Sequence, residues 1–268
     1  MAHAITVRKM DFDFDPDAVP RWWFFDNPVA THIANGLHLV FPEGERFFIR
    51  SVKHYLDRIQ DDPELLERAR AFFGQEARHG QEHARSFEMI AKQGYDVSRF
   101  LELYENKALP RLEKFFPANI NLAITVALEH LTASLGESEL SDDFLEGAHP
   151  TMRALLRWHA AEEIEHKSVA FDVLARVDPR YSVRVSGMAI GLIGLMIFWN
   201  IGARMLIAQE TGLSKKELRA YRKRILDKRK DHTTRILTQA VLKYLRPSFH
   251  PDQNDNYHLA AEYLRSVS

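Results

Sequence analysis

Apolar residues recur at helical spacing through most of the chain, and four of these stripes carry acids where a buried face should be purely apolar. Phe41, Glu45, Phe48, Val52, Tyr55 and Ile59 fall three or four residues apart, the period of one face of an α-helix. Ala69, Phe72, Glu76, His79, His83, Phe87 and Ile90 repeat the pattern. So do Leu122, Val126, Glu129 and Ala133, and then Met152, Leu155, His159, Glu163, His166, Ala170 and Val173. Alternation with a period of two is confined to Asp11-Phe12-Asp13-Phe14-Asp15. The pattern therefore predicts an all-α fold.

Punctuation residues divide it. A first helix is expected over 29–39. Pro42, at a helix first turn, opens a stretch to about 59. Asp62-Pro63-Glu64 starts a helix that runs to 93, where Gly94 stops it. A segment over 97–115 is interrupted by Pro110, an apolar helix covers 119–140, and 141–150 reads as a turn. The next helix spans 151–177 and breaks before Pro179. Basic helical sequence begins at Ser214, and a last short helix lies near 257–265. Residues 1–28 read as an extended arm whose Trp22, Trp23, Phe24 and Phe25 lie over the helices and cap them. Three regions result: the arm (1–28), a helical bundle (29–180) and a C-terminal helical extension (181–268). No repeat at the scale of 20–50 residues is visible.

Residues 185–203 are almost wholly apolar, flanked by Arg184 and Arg204, with Asn200 the one strongly polar member. That is near the length of a bilayer-spanning helix. Four glycines and Asn200 favour instead a helix buried in the bundle or in a homodimer interface, where an acid at Ile193 would be strongly destabilising. Peripheral membrane contact is the other reading. It is helped by residues 214–246, which hold twelve Lys or Arg against Glu217, Asp227 and Asp231.

The 268 residues carry a net charge of −1, which argues against a nucleic-acid partner. The absence of cysteine removes disulfides, zinc–thiolate sites, iron–sulfur clusters and thiol catalysis. The N-terminal residues are acidic and lack an apolar run, unlike a secretory signal. A cytoplasmic setting is the default, with membrane association through 185–203 as its variant.

The acids on the stripes carry the chemistry. With 20 Glu and 13 His, about one Glu-x-x-His is expected by chance, and the chain has three. Glu146/His149 sits among Gly147 and Pro150 in a turn and receives no role. Glu76/His79 and Glu163/His166 lie on helical core faces, and each follows a lone core-face glutamate, Glu45 or Glu129, by 31 or 34 residues. Glu, Glu-x-x-His, Glu, Glu-x-x-His on successive helices is the ligand order of a carboxylate-bridged dimetal site inside a four-helix bundle. Four buried carboxylates need a countercharge. Two divalent cations supply it, and neutral imidazoles leave the balance unchanged. Oxygen-rich donor sets with a few imidazoles suit two iron ions, with manganese or zinc as alternatives.

Phe41-Pro-Glu-Gly-Glu-Arg-Phe-Phe48, Gly74-Gln-Glu-Ala-Arg-His79 and Trp158-His-Ala-Ala-Glu-Glu-Ile-Glu-His-Lys167 resemble the ferritin-like di-iron carboxylate superfamily. Within it the chain looks most like the bacterial family of predicted metal-dependent hydrolases, over roughly residues 10–180 with a trace at 246–251. The resemblance implies a ferritin-like four-helix bundle. His159, one turn before Glu163, also resembles the extra histidine of arylamine N-oxygenases. Carried over, the metal ligands are Glu45, Glu76, His79, Glu129, His159, Glu163 and His166. His83 is a candidate for orienting a ligand, and Glu162, Glu82 and His130 are rivals for the ligand positions. The leading functional expectation is a non-haem di-iron oxidoreductase or oxygenase that activates dioxygen, with an electron donor and a small, hydrophobic substrate. The alternative is a metal-dependent hydrolase using a metal-bridging hydroxide. The third reading is a non-catalytic metal-binding bundle.

Overall fold

The computed structural model describes residues 5–141, 143–229 and 232–267. Residues 1–4 of the arm, Asp142 of the turn, Lys230 and Asp231 of the basic segment, and Ser268 lie outside them. Helices are the only regular structure among the described residues, with no strand among them; an isolated bridge pairs Phe24 with Ala148.

Local chemistry sets most helix ends. Asn27 caps α1 (Pro28–His38) by accepting from the N–H groups of Val29 and Ala30. Pro42 sits in the first turn of α2 (Phe41–Lys53). Asp62 accepts from the Leu65 N–H at the start of α3 (Pro63–Lys92), and Gly94 leaves it at a φ of +94°. Beyond α4 (Ser98–Leu103), one π-helical turn (Tyr104–Ala108) leads into α5 (Leu109–Phe115). The predicted interruption at Pro110 is thus a widened turn. It removes the clash of the proline ring with the preceding turn, and the chain stays helical.

The predicted helix over 151–177 is two helices, α7 (Pro150–His166) and α8 (Val169–Val177). Long-range bonds hold the break. The Lys167 ammonium donates to the Asn254 carbonyl at 2.6 Å and to Asn256 Oδ1 at 2.5 Å, and Arg68 donates to the Ser168 hydroxyl at 2.6 Å.

α2 packs on α3, and α6 (Ala118–Ser141) on α7. Contacts between α2 and α6 and between α3 and α7 bring the four candidate-bearing helices around one centre. The arm lies over them as expected: Phe12, Trp23 and Phe24 are buried, Phe12 meets Trp158 at a centroid distance of 5.6 Å, and Trp23 donates to Asn35 Oδ1 at 2.9 Å. α11 (His232–Tyr244) packs on α6, and α12 (Tyr257–Val267) on α7.

The apolar segment becomes α9 (Tyr181–Ile207), which lies along α6 and α1. At Gly187 a Cβ would sit 2.3 Å from the Ala123 carbonyl carbon and oxygen, so the two backbones meet without side chains between them. Gly187→Leu should separate them at a cost of about 1–3 kcal/mol or more, read as a lower urea midpoint with an unchanged m-value. An unshifted midpoint would mean that the contact is not made.

Burial within the bundle holds for only one side of α9. Ile193 is 59% exposed, so an acid there would meet water and not a packed core. The predicted strong destabilisation by Ile193→Asp is withdrawn on that ground.

Candidate metal centre

All seven residues read from the sequence converge in the interior, and all are buried. α2 contributes Glu45, α3 contributes Glu76 and His79, α6 contributes Glu129, and α7 contributes His159, Glu163 and His166. Their donor atoms form overlapping groups in which every member lies within 4.8 Å of the others: Glu45, Glu76 and His79; Glu76, Glu129 and His166; His79, His159 and Glu163. Glu76 and Glu163 touch both halves. Glu76 Oε1 lies 3.0 Å from His166 Nε2 and 3.6 Å from His79 Nδ1. Glu163 Oε1 lies 3.6 Å from each of those nitrogens and 2.9 Å from His159 Nε2.

Most of these donor atoms point inward without a hydrogen-bond partner; Glu163 Oε1 and His159 Nε2 meet each other. Glu45, Glu76 and Glu129 leave both carboxylate oxygens without a hydrogen-bond partner, and His79 Nδ1 and His166 Nε2 are likewise unpaired. Buried polar atoms in native folds are nearly always satisfied, and several orphans facing one another are what a cation site looks like with its ions left out. The residues fit two metal ions on this observation.

Surrounding residues fix the ligands. His79 Nε2 contacts Glu162 Oε2 at 3.0 Å, and Arg8 of the arm reaches Glu162 at 3.2 Å and Glu165 at 2.7 Å. His166 Nδ1 lies 2.8 Å from Gln75 Oε1. Thr132 donates to Glu163 Oε2. These contacts set which ring nitrogen faces the centre. His159 Nδ1 meets His83 Nε2 at 2.8 Å, and His83 Nδ1 meets His38 Nδ1 at 3.1 Å. His83 therefore orients His159, and with Glu45 and His159 it also forms a further donor group.

The rivals fall away. Glu162 bonds to His79 on the side away from the unpaired Nδ1. Glu82 pairs with Arg85, His130 bonds to the Ala240 carbonyl, and Glu146 is exposed. Sequence reading missed His38, Gln75 and Arg8, whose partners come from distant segments. It also missed Glu139, although Glu129, Thr132, Gly136 and Glu139 follow one helical face.

The buried donors shift one another's proton affinities. Burial, then the charge of Glu76, raises Glu45 well above the usual carboxylate range; burial and Glu163 raise Glu129 to about 8. Burial alone would lower His79, but Glu162 and Glu76 lift it to about 10. Burial likewise opposes the charging of His166, and Glu129, Glu163 and Glu76 override it. Glu76 and Glu163 are held down, against burial, by the facing histidines. Glu129 and His79, raised to about 8 and about 10, would have to give up protons to bind metal. Metal uptake should therefore release protons, and affinity should climb as pH rises through 8. Calorimetry in buffers of different ionisation enthalpy counts them. Release of none would contradict this charge state.

An apolar chamber adjoins the centre. Its mouth opens to solvent, and the buried Glu45, His159 and Glu163 form its inner end. Phe41, Phe47, Leu131, Leu156, Leu195 and Phe198 wall it. Glu139 also lines the chamber, and burial and the charge of Glu163 raise it to about 8 despite Arg157.

A family model described as predicted metal-dependent hydrolase matches residues 6–255. The chain belongs to that family. The match runs past the 10–180 stretch that carried the resemblance in sequence, through α9 and α11, so the apolar helix is part of the family's pattern. The helical architecture is consistent with the ferritin-like superfamily. Among curated proteins, none matches the chain.

Proposed function

We propose that the chain is a dimetal enzyme that hydrolyses an apolar small molecule, with Glu45, Glu76, His79, Glu129, His159, Glu163 and His166 holding the two ions. The observation that carries the reading is the run of unpaired buried donors at the closed end of an apolar chamber. The family's description supports hydrolysis over the redox chemistry expected from ligand order. Two such ions, when bound, supply Lewis-acid polarisation and an activated water.

The chain's own residues supply the rest. The leucine and phenylalanine walls bind the apolar part of the substrate and exclude bulk water, which strengthens every charge interaction at the inner end. Glu45, His159 and Glu163 face the substrate's reacting end. Thr132 steadies Glu163, Glu162 steadies His79, and His83 steadies His159. Glu139 carries a proton at neutral pH and faces the same space. It is placed to give that proton to a leaving group, the part a general acid plays.

A second reading keeps the oxygenase, and one feature supports it. The ligand order Glu, Glu-x-x-His, Glu, Glu-x-x-His opens onto a chamber walled by C–H groups, which suits oxidation of a substrate without a labile bond. One set of assays separates the readings. Protein loaded with zinc, manganese or ferrous iron should hold about two metals per chain. It should cleave p-nitrophenyl octanoate without taking up dioxygen, and Glu139→Gln should slow kcat about 100-fold on an alkyl octanoate, whose alkoxide must be protonated as it leaves. Dioxygen uptake by the reduced iron form, with no ester cleavage in any form, would replace hydrolysis by the redox reading.

A further inference from the structure

One helix serves the chamber and the outside at once. Ile190, Gly191, Gly194, Leu195 and Phe198 of α9 line the chamber. On the other side of the same helix Ile193, Met196 and Ile197 are 59%, 38% and 50% exposed. α9 is 27 residues long and apolar enough to cross a membrane, yet only 22% of its apolar stretch is buried. A core helix of that composition is mostly buried; this one leaves one side open. Opposite α9, Tyr104, Leu109 and Leu112 form the facing wall of the chamber, and Leu103 and Phe115 at the ends of that segment are exposed as well.

Charge says what the open face meets. α10 (Lys215–Arg229) packs against α1, which also carries α9. Its Lys215, Lys216, Arg219, Arg222, Lys223 and Arg224 are all exposed, with Glu217 the one acid among them. An exposed apolar face on a chain that also presents a cationic helix complements a bilayer with anionic headgroups, which takes up the apolar side chains and attracts the basic ones. A second copy of the chain docked there would bring a like-charged helix to the same edge.

We propose that α9 rests in the surface of an anionic bilayer and admits the acyl chain of a lipid into the chamber behind it, so that its reacting end reaches Glu45, His159 and Glu163. This rests on the enzymatic reading above and adds the substrate class and its source. The route is short: a chain leaving the bilayer passes from one side of α9 to the other without crossing water. Gly194 sits on this route, lines the chamber, and has open space where a Cβ would stand.

The test uses the full, metal-loaded chain with three readouts: metal content, flotation with vesicles, and binding of cis-parinaric acid, a fatty acid that fluoresces when its chain enters an apolar site. Wild-type protein should float with phosphatidylcholine vesicles containing phosphatidylglycerol, float less with phosphatidylcholine alone, and bind parinarate. Ile193→Asp/Ile197→Asp should lose flotation and keep its metals, because both positions are exposed. Gly194→Trp should keep metals and flotation while parinarate binding falls about tenfold or more, the scale of a mismatch in an apolar pocket. Protein that stays in the aqueous phase overturns the proposal. So does a dimer that Ile193→Asp/Ile197→Asp splits, which would make the face an interface between copies. Parinarate binding undiminished in Gly194→Trp also overturns it. Loss of the enzymatic reading shows separately, as wild-type protein without metal.

Discussion

Glu76→Ala and Glu163→Ala should each yield protein that carries neither metal, while Glu146→Ala keeps both. The geometry makes these two carboxylates different from the rest. Each lies within 3.6 Å of both His79 Nδ1 and His166 Nε2, so each serves both halves of the centre. Removing Glu45 or Glu129 takes a donor from one half only. Removing Glu76 or Glu163 takes one from both. Glu146 has the same Glu-x-x-His spacing but is exposed in a turn, so it controls for the motif alone. Metal content after purification decides the matter. Two metals retained in either of the first two variants would dissolve the assignment.

Glu210→Ala should cost about 3–5 kcal/mol of stability, the scale of breaking a buried charge network on one side, with Glu210→Gln costing less. Glu210 follows the end of α9 and is only 6% exposed. Its Oε1 accepts from Trp22 Nε1 at 2.9 Å and from the Tyr95 hydroxyl, and faces His32 Nε2 at 2.8 Å. Its Oε2 takes Arg21 at 3.5 Å. Alanine would strand the buried His32 and Tyr95 and take a partner from Trp22 and Arg21 of the arm at once. Urea unfolding reads the loss. A midpoint like that of the parent protein would show that water replaces the carboxylate.

The two predictions differ in how visible their residues are in sequence. Glu76 and Glu163 stand out because a helical stripe has a period, and an acid on it breaks an expectation. Helix ends were equally legible where one or two residues decide them, as at Asn27, Asp62-Pro63 and Gly94. Glu210 follows an apolar helix and precedes Thr211-Gly212, so it reads as an ordinary surface acid. Its partners come from positions 21, 22, 32 and 95, and no local pattern announces them. The break at Lys167-Ser168 failed for the same reason: Asn254, Asn256 and Arg68 hold it from far along the chain. The exposure of α9 failed for another. A helix apolar all round shows no preferred face, so periodicity cannot say which side the fold covers.

The arm ties these distant points together, and that has a consequence for the order in which the protein can be finished. Arg8 reaches Glu162 and Glu165, 154 and 157 residues later, and Arg21 reaches Glu210, 189 residues later. During synthesis the arm leaves the ribosome well before the carboxylates its arginines bond. Until α7 has emerged, the Glu162 that steadies His79 does not exist, and until α9 has emerged, Arg21 lacks Glu210. Local helices can form as they appear, but the centre closes only after α7 has been made. A nascent chain ending before α7 would therefore hold four of the seven candidate donors, and that interval is when the unfinished site is most exposed to the wrong metal.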